Sequence, residues 1–208
     1  MPAALPLPPL TLVLGGTRSG KSAHAESLAV LPGVESTYLA TASAGDGEMA
    51  ERIRRHQERR GTSWRTVEEP VDLPGVLRNC PPGAPILIDC LTLWLSNLLL
   101  AGRDPAAEAE ALLDALRAPP GPVIAVASEV GLGIVPENAL ARLFRDHAGL
   151  LNQRVAGLAD RVVFVAAGLP LVLKDVHANP LEPPCPQRRS VKFPPPLSPA
   201  FSGRGRRR

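Results

Sequence analysis

Short apolar runs alternate along the chain with longer segments in which apolar residues recur every three or four positions. The runs contain many residues that favour β-strands, and the segments between them contain many helix formers. Strands are predicted at Leu10–Leu14, Thr37–Thr41, Ile86–Ile88, Val123–Ala127, Val162–Val165 and Leu171–Leu173. Because strands that alternate with helices usually pair in parallel, the pattern predicts an α/β fold with a mainly parallel sheet flanked by helices.

Two of the intervening segments have a clear helical period. Ala106–Leu116 is followed by two prolines and a glycine, which end a helix. The longer helix is preceded by Pro136 and Asn138, a proline and a capping residue at the positions where each is favoured. One face of this longer helix is predicted to be apolar, and its members are Leu140, Leu143, Phe144, Ala148, Leu151, Val155 and Leu158.

The first predicted strand leads into a glycine-rich loop with the pattern of a phosphate-binding P-loop, Gly15-Gly16-Thr17-Arg18-Ser19-Gly20-Lys21-Ser22. Helix formers follow it, so the motif lies between a strand and a helix. In that context the N–H groups of the loop and of the helix N-terminus point at phosphate oxygens. Lys21 is expected to reach the β- and γ-phosphates, and the Ser22 hydroxyl is expected to bind Mg²⁺. The chain is predicted to be a P-loop NTPase-like domain that binds a nucleoside triphosphate.

Acidic residues follow two later strands. Asp89 ends the run Ile86–Ile88, as expected for a residue that holds Mg²⁺ beside a P-loop, although it could instead cap the helix that begins at Leu91. The metal role is favoured because the chain has a P-loop. Glu129 follows the strand Val123–Ala127, and a role in the site and a role in a turn are equally compatible with its position.

A histidine lies among basic residues after the second strand. Met49, Ile53 and His56 are spaced by four and three positions, so they share one face of a predicted helix. A core histidine bonded to a backbone carbonyl would be the usual interpretation of such spacing. The surrounding arginines could contact a triphosphate or could form a solvated face with nearby glutamates. Spacing alone does not separate these alternatives.

The C-terminal segment differs from the rest of the chain in composition. Seven of the 23 basic residues, two of the 20 acidic ones and eight of the 24 prolines lie in residues 175–208, so residues 1–174 carry a net charge of −2. A proline-rich basic segment cannot form a packed core. We therefore predict one domain over residues 1–174 and a disordered tail over residues 175–208, most simply a solvated extension.

Composition narrows the possible functions. Aromatic residues make up only 3% of the chain, too few for platforms that stack the bases of single-stranded nucleic acid, and no nucleic-acid partner is expected. The N-terminal segment lacks the basic start of a secretory signal, and no apolar stretch is long enough for a transmembrane segment. Cys80, Cys90 and Cys185 are widely spaced and form no metal-binding pattern, which is typical of thiols in a reducing compartment. A cytoplasmic location is predicted.

Four stretches of the chain together resemble one enzyme family, the bifunctional adenosylcobinamide kinases/adenosylcobinamide-phosphate guanylyltransferases of cobalamin biosynthesis. The stretches are Gly15–Ser22 with Ala25-Glu26; Tyr38–Ala42 through Glu48-Met49, Arg52-Ile53 and His56 to Trp64-Arg65-Thr66 and Glu68; Asp89-Cys90-Leu91-Thr92 with Asn97-Leu98-Leu99; and Glu129–Asn138 on to Arg142, Phe144-Arg145-Asp146, Gly149 and Asn152-Gln153. They occur in the family's order and span roughly residues 10–174. Ser128 stands where the family pattern has asparagine, and the tail has no counterpart in that pattern.

The resemblance implies a reaction and a set of site residues. His56 would attack the α-phosphate of GTP, and Arg55 stands where some relatives have a second histidine. The implied substrates are GTP, ATP and adenosylcobinamide, with Mg²⁺ as the divalent cation and a homo-oligomer such as a trimer as the assembly. Implied nucleotide contacts, besides the P-loop with its catalytic Lys21, are Ala40, Thr41, Ala42, Gln57, Glu58, Arg59, Arg60, Glu68 and Asp89. The implied metal ligands are Ser22 and Asp89.

Two other functions compete with this interpretation. A P-loop kinase for another small alcohol would use Gly15–Ser22 and Asp89 but would leave His56 without a role. A nucleic-acid-associated ATP-binding module would use the arginines of the tail and would bind in a strongly salt-dependent way. The small negative charge of residues 1–174 and the scarcity of aromatic residues weigh against the second function.

Overall fold

The computed structural model describes residues 7–42 and 63–177. The strands are β1 (Leu10–Gly15), β2 (Ser36–Ala40), β3 (Trp64–Glu68), β4 (Ile86–Asp89), β5 (Val123–Ser128), β6 (Arg161–Ala166) and β7 (Leu169–Asp175). The helices are α1 (Lys21–Ala29), α2 (Leu73–Arg78), α3 (Leu91–Leu100), α4 (Pro105–Arg117) and α5 (Ala139–Leu158). The helix predicted around Met49, Ile53 and His56 lies outside the described residues, as does the chain beyond His177.

The described strands form one sheet in the order β3-β2-β4-β5-β1-β6-β7. Every neighbouring pair from β3 to β6 is parallel, and only β7 runs antiparallel, as the second strand of a hairpin with β6. The P-loop strand β1 is inside the sheet, between β5 and β6. The α/β fold with a mainly parallel sheet flanked by helices, predicted from the sequence, is confirmed.

Helices cover both faces of the sheet, so the central strands are buried on each side. In β1, Leu10, Leu12 and Leu14 contribute to a large core with residues of α2, α3, α4 and α5. The alternate residue Val13 belongs to a second core, which contains Ala25 and Ala29 of α1. Because consecutive strand residues point to opposite faces, this division follows directly from the alternation along β1.

All six strands predicted from the sequence are confirmed, with ends that differ by one or two residues. Two elements were not predicted. β3 is an edge strand whose residues are half-buried or exposed, so no apolar run marks it. α2 has only six residues and includes Pro74 and Gly75, both poor helix formers, but the Asp72 side chain caps it by accepting from the Gly75 N–H.

The predicted cap of the long helix α5 is confirmed, because the Asn138 side chain accepts hydrogen bonds from the N–H groups of Leu140 and Ala141. The predicted apolar face is only partly correct. Leu140 and Leu143 are exposed, and burial begins at Ala148. The first turns of α5 therefore extend beyond the layer that packs on the sheet.

The edge strand β7 exposes apolar residues on both of its faces. Leu169 and Leu171 are exposed, and so is the adjacent Val172, which points the other way. Leu173, where the pairing with β6 shifts register, is exposed as well. Just after this strand the chain is still hydrogen-bonded to the rest of the domain, because the Val176 N–H donates to the Asp160 carbonyl. The division into residues 1–174 and 175–208 remains a prediction.

Among the described helices, none has both the length and the apolar character needed to cross a membrane.

Candidate active site

The carboxyl ends of the parallel strands meet at one edge of the sheet, where ligands of open α/β folds usually bind. Ala40 of β2 is level with both Glu68 of β3 and Asp89 of β4. Farther along the sheet, Gly15 of β1 is level with Ser128 of β5. The topology thus brings the P-loop, the end of β2, the acids that end β3 and β4, and the acid that follows β5 to the same edge.

The P-loop connects β1 directly to α1. Its turn is closed by the Ser19 N–H, which donates to the Gly16 carbonyl at 3.2 Å, and by the Lys21 ammonium, which donates to the same carbonyl at 3.2 Å. The lysine therefore folds back over the loop. Lys21 and Ser22 form the first turn of α1, whose free N–H groups favour an anion.

Two glycines of the loop are required by close contacts. A Cβ on Gly15 would lie 2.5 Å from the Val165 carbonyl oxygen, so no side chain fits there. Gly20 has φ +96°, a left-handed conformation, and a Cβ on it would lie 3.2 Å from the Gly168 Cα. Gly168, in the turn between β6 and β7, also donates its N–H to the Ser19 carbonyl at 2.8 Å. This turn supports the P-loop from a distant part of the sequence and was not identified by sequence analysis.

Asp89 is a half-buried acid at the end of β4, and Oδ2 of its carboxylate accepts a hydrogen bond from the Tyr38 hydroxyl at 2.9 Å. The residue at the N-cap position of α3 is Cys90, which makes no capping bond through its side chain. The Asp89 side chain is therefore directed to Tyr38 and not to the start of α3, so the alternative capping role is not the one observed. Tyr38 lies in one of the four stretches of the resemblance but was given no role there, and only the pairing of β2 with β4 reveals its contact.

The end of β2 is joined to the start of α3 through Thr41. The fully buried Thr41 hydroxyl donates to the Cys90 carbonyl and accepts from the Cys90 N–H, both at 2.8 Å. The Asn97 side chain donates to the Thr41 carbonyl at 2.7 Å. The Thr41 N–H also donates to the Asp89 carbonyl at 3.2 Å, so each polar group of this residue is engaged in fixing the backbone beside Asp89.

Burial and, to a smaller extent, the negative charge of Asp89 raise the pKa of the neighbouring Cys90 thiol to about 11. The Lys21 ammonium opposes this shift, so the charge of the P-loop lysine acts at the end of β4. The thiol is protonated near neutral pH and is a poor nucleophile. Cys90 therefore has a structural role beside the site.

The donor set at this edge fits Mg²⁺. Asp89 offers a carboxylate and Ser22 a hydroxyl, both oxygen ligands, and α1, which begins at the P-loop, packs against β4. Mg²⁺ in nucleotide sites commonly takes only one or two protein oxygens and completes its shell with phosphate oxygens and water. The carboxylate and the hydroxyl are therefore sufficient protein ligands for a cation bound together with a triphosphate.

Glu129 has a role in the local turn. Its N–H donates to the Gly15 carbonyl, and its carboxylate accepts from the Gly131 N–H at 2.6 Å. The preceding residue, Ser128, is held through its backbone, because its N–H donates to the Thr92 hydroxyl at 2.6 Å. These contacts use only backbone atoms of residue 128, so they hold the end of β5 beside the P-loop without a contribution from the serine side chain.

The remaining predicted site residues are placed as follows. Ala40 is buried and Ala42 is half-buried at the end of β2, whereas Glu68 is exposed at the end of the edge strand β3. His56, Gln57, Glu58, Arg59 and Arg60 lie outside the described residues. The structure therefore brings together the P-loop and Asp89, with Ala40–Ala42 between β3 and β4 at the same edge.

A sequence model of the cobinamide kinase / cobinamide phosphate guanyltransferase family, CobU, matches residues 11–173. The chain belongs to the CobU family. The match extends from β1 to β7 and includes every residue proposed for the site. The protein is therefore an enzyme of a cobalamin-biosynthesis family, with a P-loop fold.

Individual members of the CobU family are similar over nearly their whole length. The bifunctional adenosylcobalamin biosynthesis protein CobP of Pseudomonas aeruginosa is 52% identical over 167 residues, which are 78% of this chain and 96% of that protein. The bifunctional protein CobU of Salmonella typhimurium is 40% identical over 181 residues, 79% of this chain and 99% of that protein. CobU of Escherichia coli is 39% identical over the same shares of both chains.

Proposed function

We propose that this enzyme phosphorylates adenosylcobinamide with ATP or GTP and then transfers GMP from GTP to the product, giving adenosylcobinamide-GDP and pyrophosphate. The observation that carries the proposal is the family match over residues 11–173, which contains the P-loop, His56 and Asp89. We propose that the reaction takes place in the cytoplasm, because Cys80 and Cys90 form no disulfide bond.

In the guanylyltransferase half-reaction, an imidazole nitrogen of His56 forms a bond to the α-phosphorus of GTP. The bond from that phosphorus to the bridging oxygen of the β-phosphate breaks, and pyrophosphate leaves. An oxygen of adenosylcobinamide phosphate then attacks the same phosphorus, the P–N bond breaks, and GMP is transferred. Neutral imidazole is suited to this role because it is nucleophilic near pH 7.

In the kinase half-reaction, the hydroxyl oxygen of the aminopropanol arm of adenosylcobinamide attacks the γ-phosphorus of ATP or GTP. The bond from that phosphorus to the bridging oxygen of the β-phosphate breaks, the nucleoside diphosphate leaves, and the hydroxyl proton is released to solvent. Phosphoryl transfer depends mainly on positioning and on neutralisation of charge. The Lys21 ammonium, held over the loop by the Gly16 carbonyl, supplies a positive charge at the β- and γ-phosphates. A cation bound by Ser22 and Asp89 would neutralise further phosphate charge. The proposed additional nucleotide contacts are Ala40, Thr41, Ala42, Glu68 and the segment Gln57–Arg60.

The proposal is tested by incubating the enzyme with GTP labelled at the α-phosphate. We expect label on the protein that is lost in acid and retained in base, as for a phosphoramidate, together with one pyrophosphate released per labelled site. Label at the γ-phosphate should not be retained. An enzyme that phosphorylates adenosylcobinamide but takes up no α-label would instead be a P-loop kinase without the second activity.

We also propose that the enzyme is a homo-oligomer, as the family resemblance implies, and that β7 contributes to the interface. Exposed apolar residues on both faces of an edge strand are unusual in a monomer, because such a strand can pair with or pack on another chain. Leu171 and Leu173 lie in the middle of this surface. A trimer is the assembly that the resemblance favours.

Replacing both Leu171 and Leu173 with lysine should convert the oligomer to monomers, because two charges would be desolvated at the interface. Sedimentation velocity of the purified variant measures the change. Leu100→Lys is the matched control, since this leucine is also highly exposed but ends α3. A chain ending at His177 should remain oligomeric. Monomeric wild-type enzyme at micromolar concentration would contradict the proposal.

A further inference from the structure

Tyr38 connects the proposed metal ligand Asp89 to the core beneath α1. The tyrosine is 5% exposed, and its hydroxyl donates to Asp89 Oδ2 at 2.9 Å. Its ring makes an edge-to-face contact with Trp64, with the ring centroids 5.9 Å apart and the planes at 81°. Such a contact favours one relative orientation of the two rings. Burial of the tyrosine and its contact with Trp64 therefore both favour the position in which the hydroxyl meets Asp89.

Strand geometry places this hydrogen bond on the α1 side of the sheet. Tyr38 and Leu87 both belong to the core beneath α1. Asp89 lies two residues after Leu87 on β4, so its side chain points to the same face. The helix on that face begins with Lys21 and Ser22 of the P-loop. Tyr38 thus holds the carboxylate on the side of the sheet where the triphosphate would bind.

The hydrogen bond uses one of the two carboxylate oxygens. Within residues 7–42 and 63–177, Oδ1 of Asp89 accepts no hydrogen bond, so this oxygen is available to a cation. A carboxylate that binds a metal is commonly held by a neighbouring donor, and loss of that donor typically weakens metal binding about 10- to 100-fold. A buried tyrosine also needs a hydrogen-bond acceptor for its own stability, which is the alternative explanation of this contact.

We propose that Tyr38 is a positioning residue for the divalent cation: its hydroxyl fixes the Asp89 carboxylate so that the free oxygen is presented to the metal. The inference rests on the proposed function, because it takes Asp89 as the metal ligand. It goes beyond that function by assigning a specific effect on metal affinity to Tyr38, a residue to which the sequence analysis gave no role in the site. Trp64 shares in this role by fixing the ring.

The test compares the variant Tyr38→Phe, which keeps the ring and removes the hydroxyl, with the wild-type enzyme. Calorimetry measures GTP binding without metal and with Mg²⁺, and electron paramagnetic resonance measures Mn²⁺ binding to the GTP complex. We expect unchanged affinity for metal-free GTP and about tenfold weaker binding of Mn²⁺. Because Tyr38 is the only tyrosine in the chain, its ¹³C-labelled ring carbon gives a single NMR signal, which should shift when Mg²⁺ is added.

Two further variants separate the possible outcomes. Trp94→Phe removes another buried hydrogen bond, from the indole to the Val71 carbonyl, and should lower the melting temperature without changing Mn²⁺ affinity. Asp89→Asn should weaken Mn²⁺ binding more than Tyr38→Phe does. If Tyr38→Phe behaves like Trp94→Phe, the tyrosine is only structural and the inference is wrong. If Asp89→Asn leaves Mn²⁺ affinity unchanged, the metal assignment itself fails.

Discussion

Lys21→Ala is expected to weaken GTP binding and to reduce both half-reactions by at least about a hundredfold. The ammonium is the positive charge that the structure places over the P-loop, through its hydrogen bond to the Gly16 carbonyl. Its removal would leave the β- and γ-phosphate charge without this partner in the ground state and in the transition state. Calorimetric binding of GTP and separate assays of phosphoryl and guanylyl transfer measure the effect.

Lys174→Ala is the matched control for this prediction. Lys174 donates to the carbonyls of Ala156 and Gly157 at the end of α5, and it has no place in the proposed site. Its replacement should leave GTP affinity unchanged. Wild-type affinity in a folded Lys21→Ala variant would show that the loop Gly15–Ser22 is not the triphosphate site.

His56→Ala is expected to separate the two activities completely. Without the imidazole no guanylyl-protein can form, so labelling by α-labelled GTP and release of pyrophosphate should fall to background. Phosphorylation of adenosylcobinamide requires no covalent histidine and should persist at least in part. Labelling, pyrophosphate release and the kinase assay are measured on the same preparation, with the melting temperature as a check on folding.

His24→Ala and His147→Ala are the controls for this separation. His24 lies on α1 directly behind the P-loop, where burial and the positive charge of Arg161 lower its pKa. His147 lies on α5. Both variants should still be labelled. Retained labelling in His56→Ala would remove His56 as the nucleophile, and joint loss of both activities in a folded variant would make it a general residue of the nucleotide site.

Local patterns in the sequence were sufficient to predict most of the fold. The buried strands β1, β4 and β5 are continuous apolar runs, and the start of α5 is marked by the cap Asn138. The edge strand β3 was missed because partial exposure removes the apolar signal. Leu140 and Leu143 were placed on the apolar face of α5, but both are exposed. Helical periodicity shows which face of a helix is apolar, but it does not show how far along the helix that face packs on the sheet.

The candidate site was predictable only where its residues are consecutive. The P-loop is defined by spacing within eight residues, and Asp89 by its place at the end of an apolar strand. The contacts of Tyr38 with Asp89 and of Gly168 with Ser19 join distant parts of the chain. They depend on strand register and on the position of a hairpin turn, which the sequence of either segment alone does not specify.

The position of β1 within the sheet has a consequence for folding. This strand is synthesised first, yet both of its neighbours, β5 and β6, come from the second half of the chain. Pairings between distant segments form slowly, because a long loop must close before any contact compensates for the lost entropy. The hydrogen bonds that complete the P-loop, from Glu129 to Gly15 and from Gly168 to Ser19, must wait for the same segments. The contacts that support the loop Gly15–Ser22 are therefore expected to form only after these distant segments have paired.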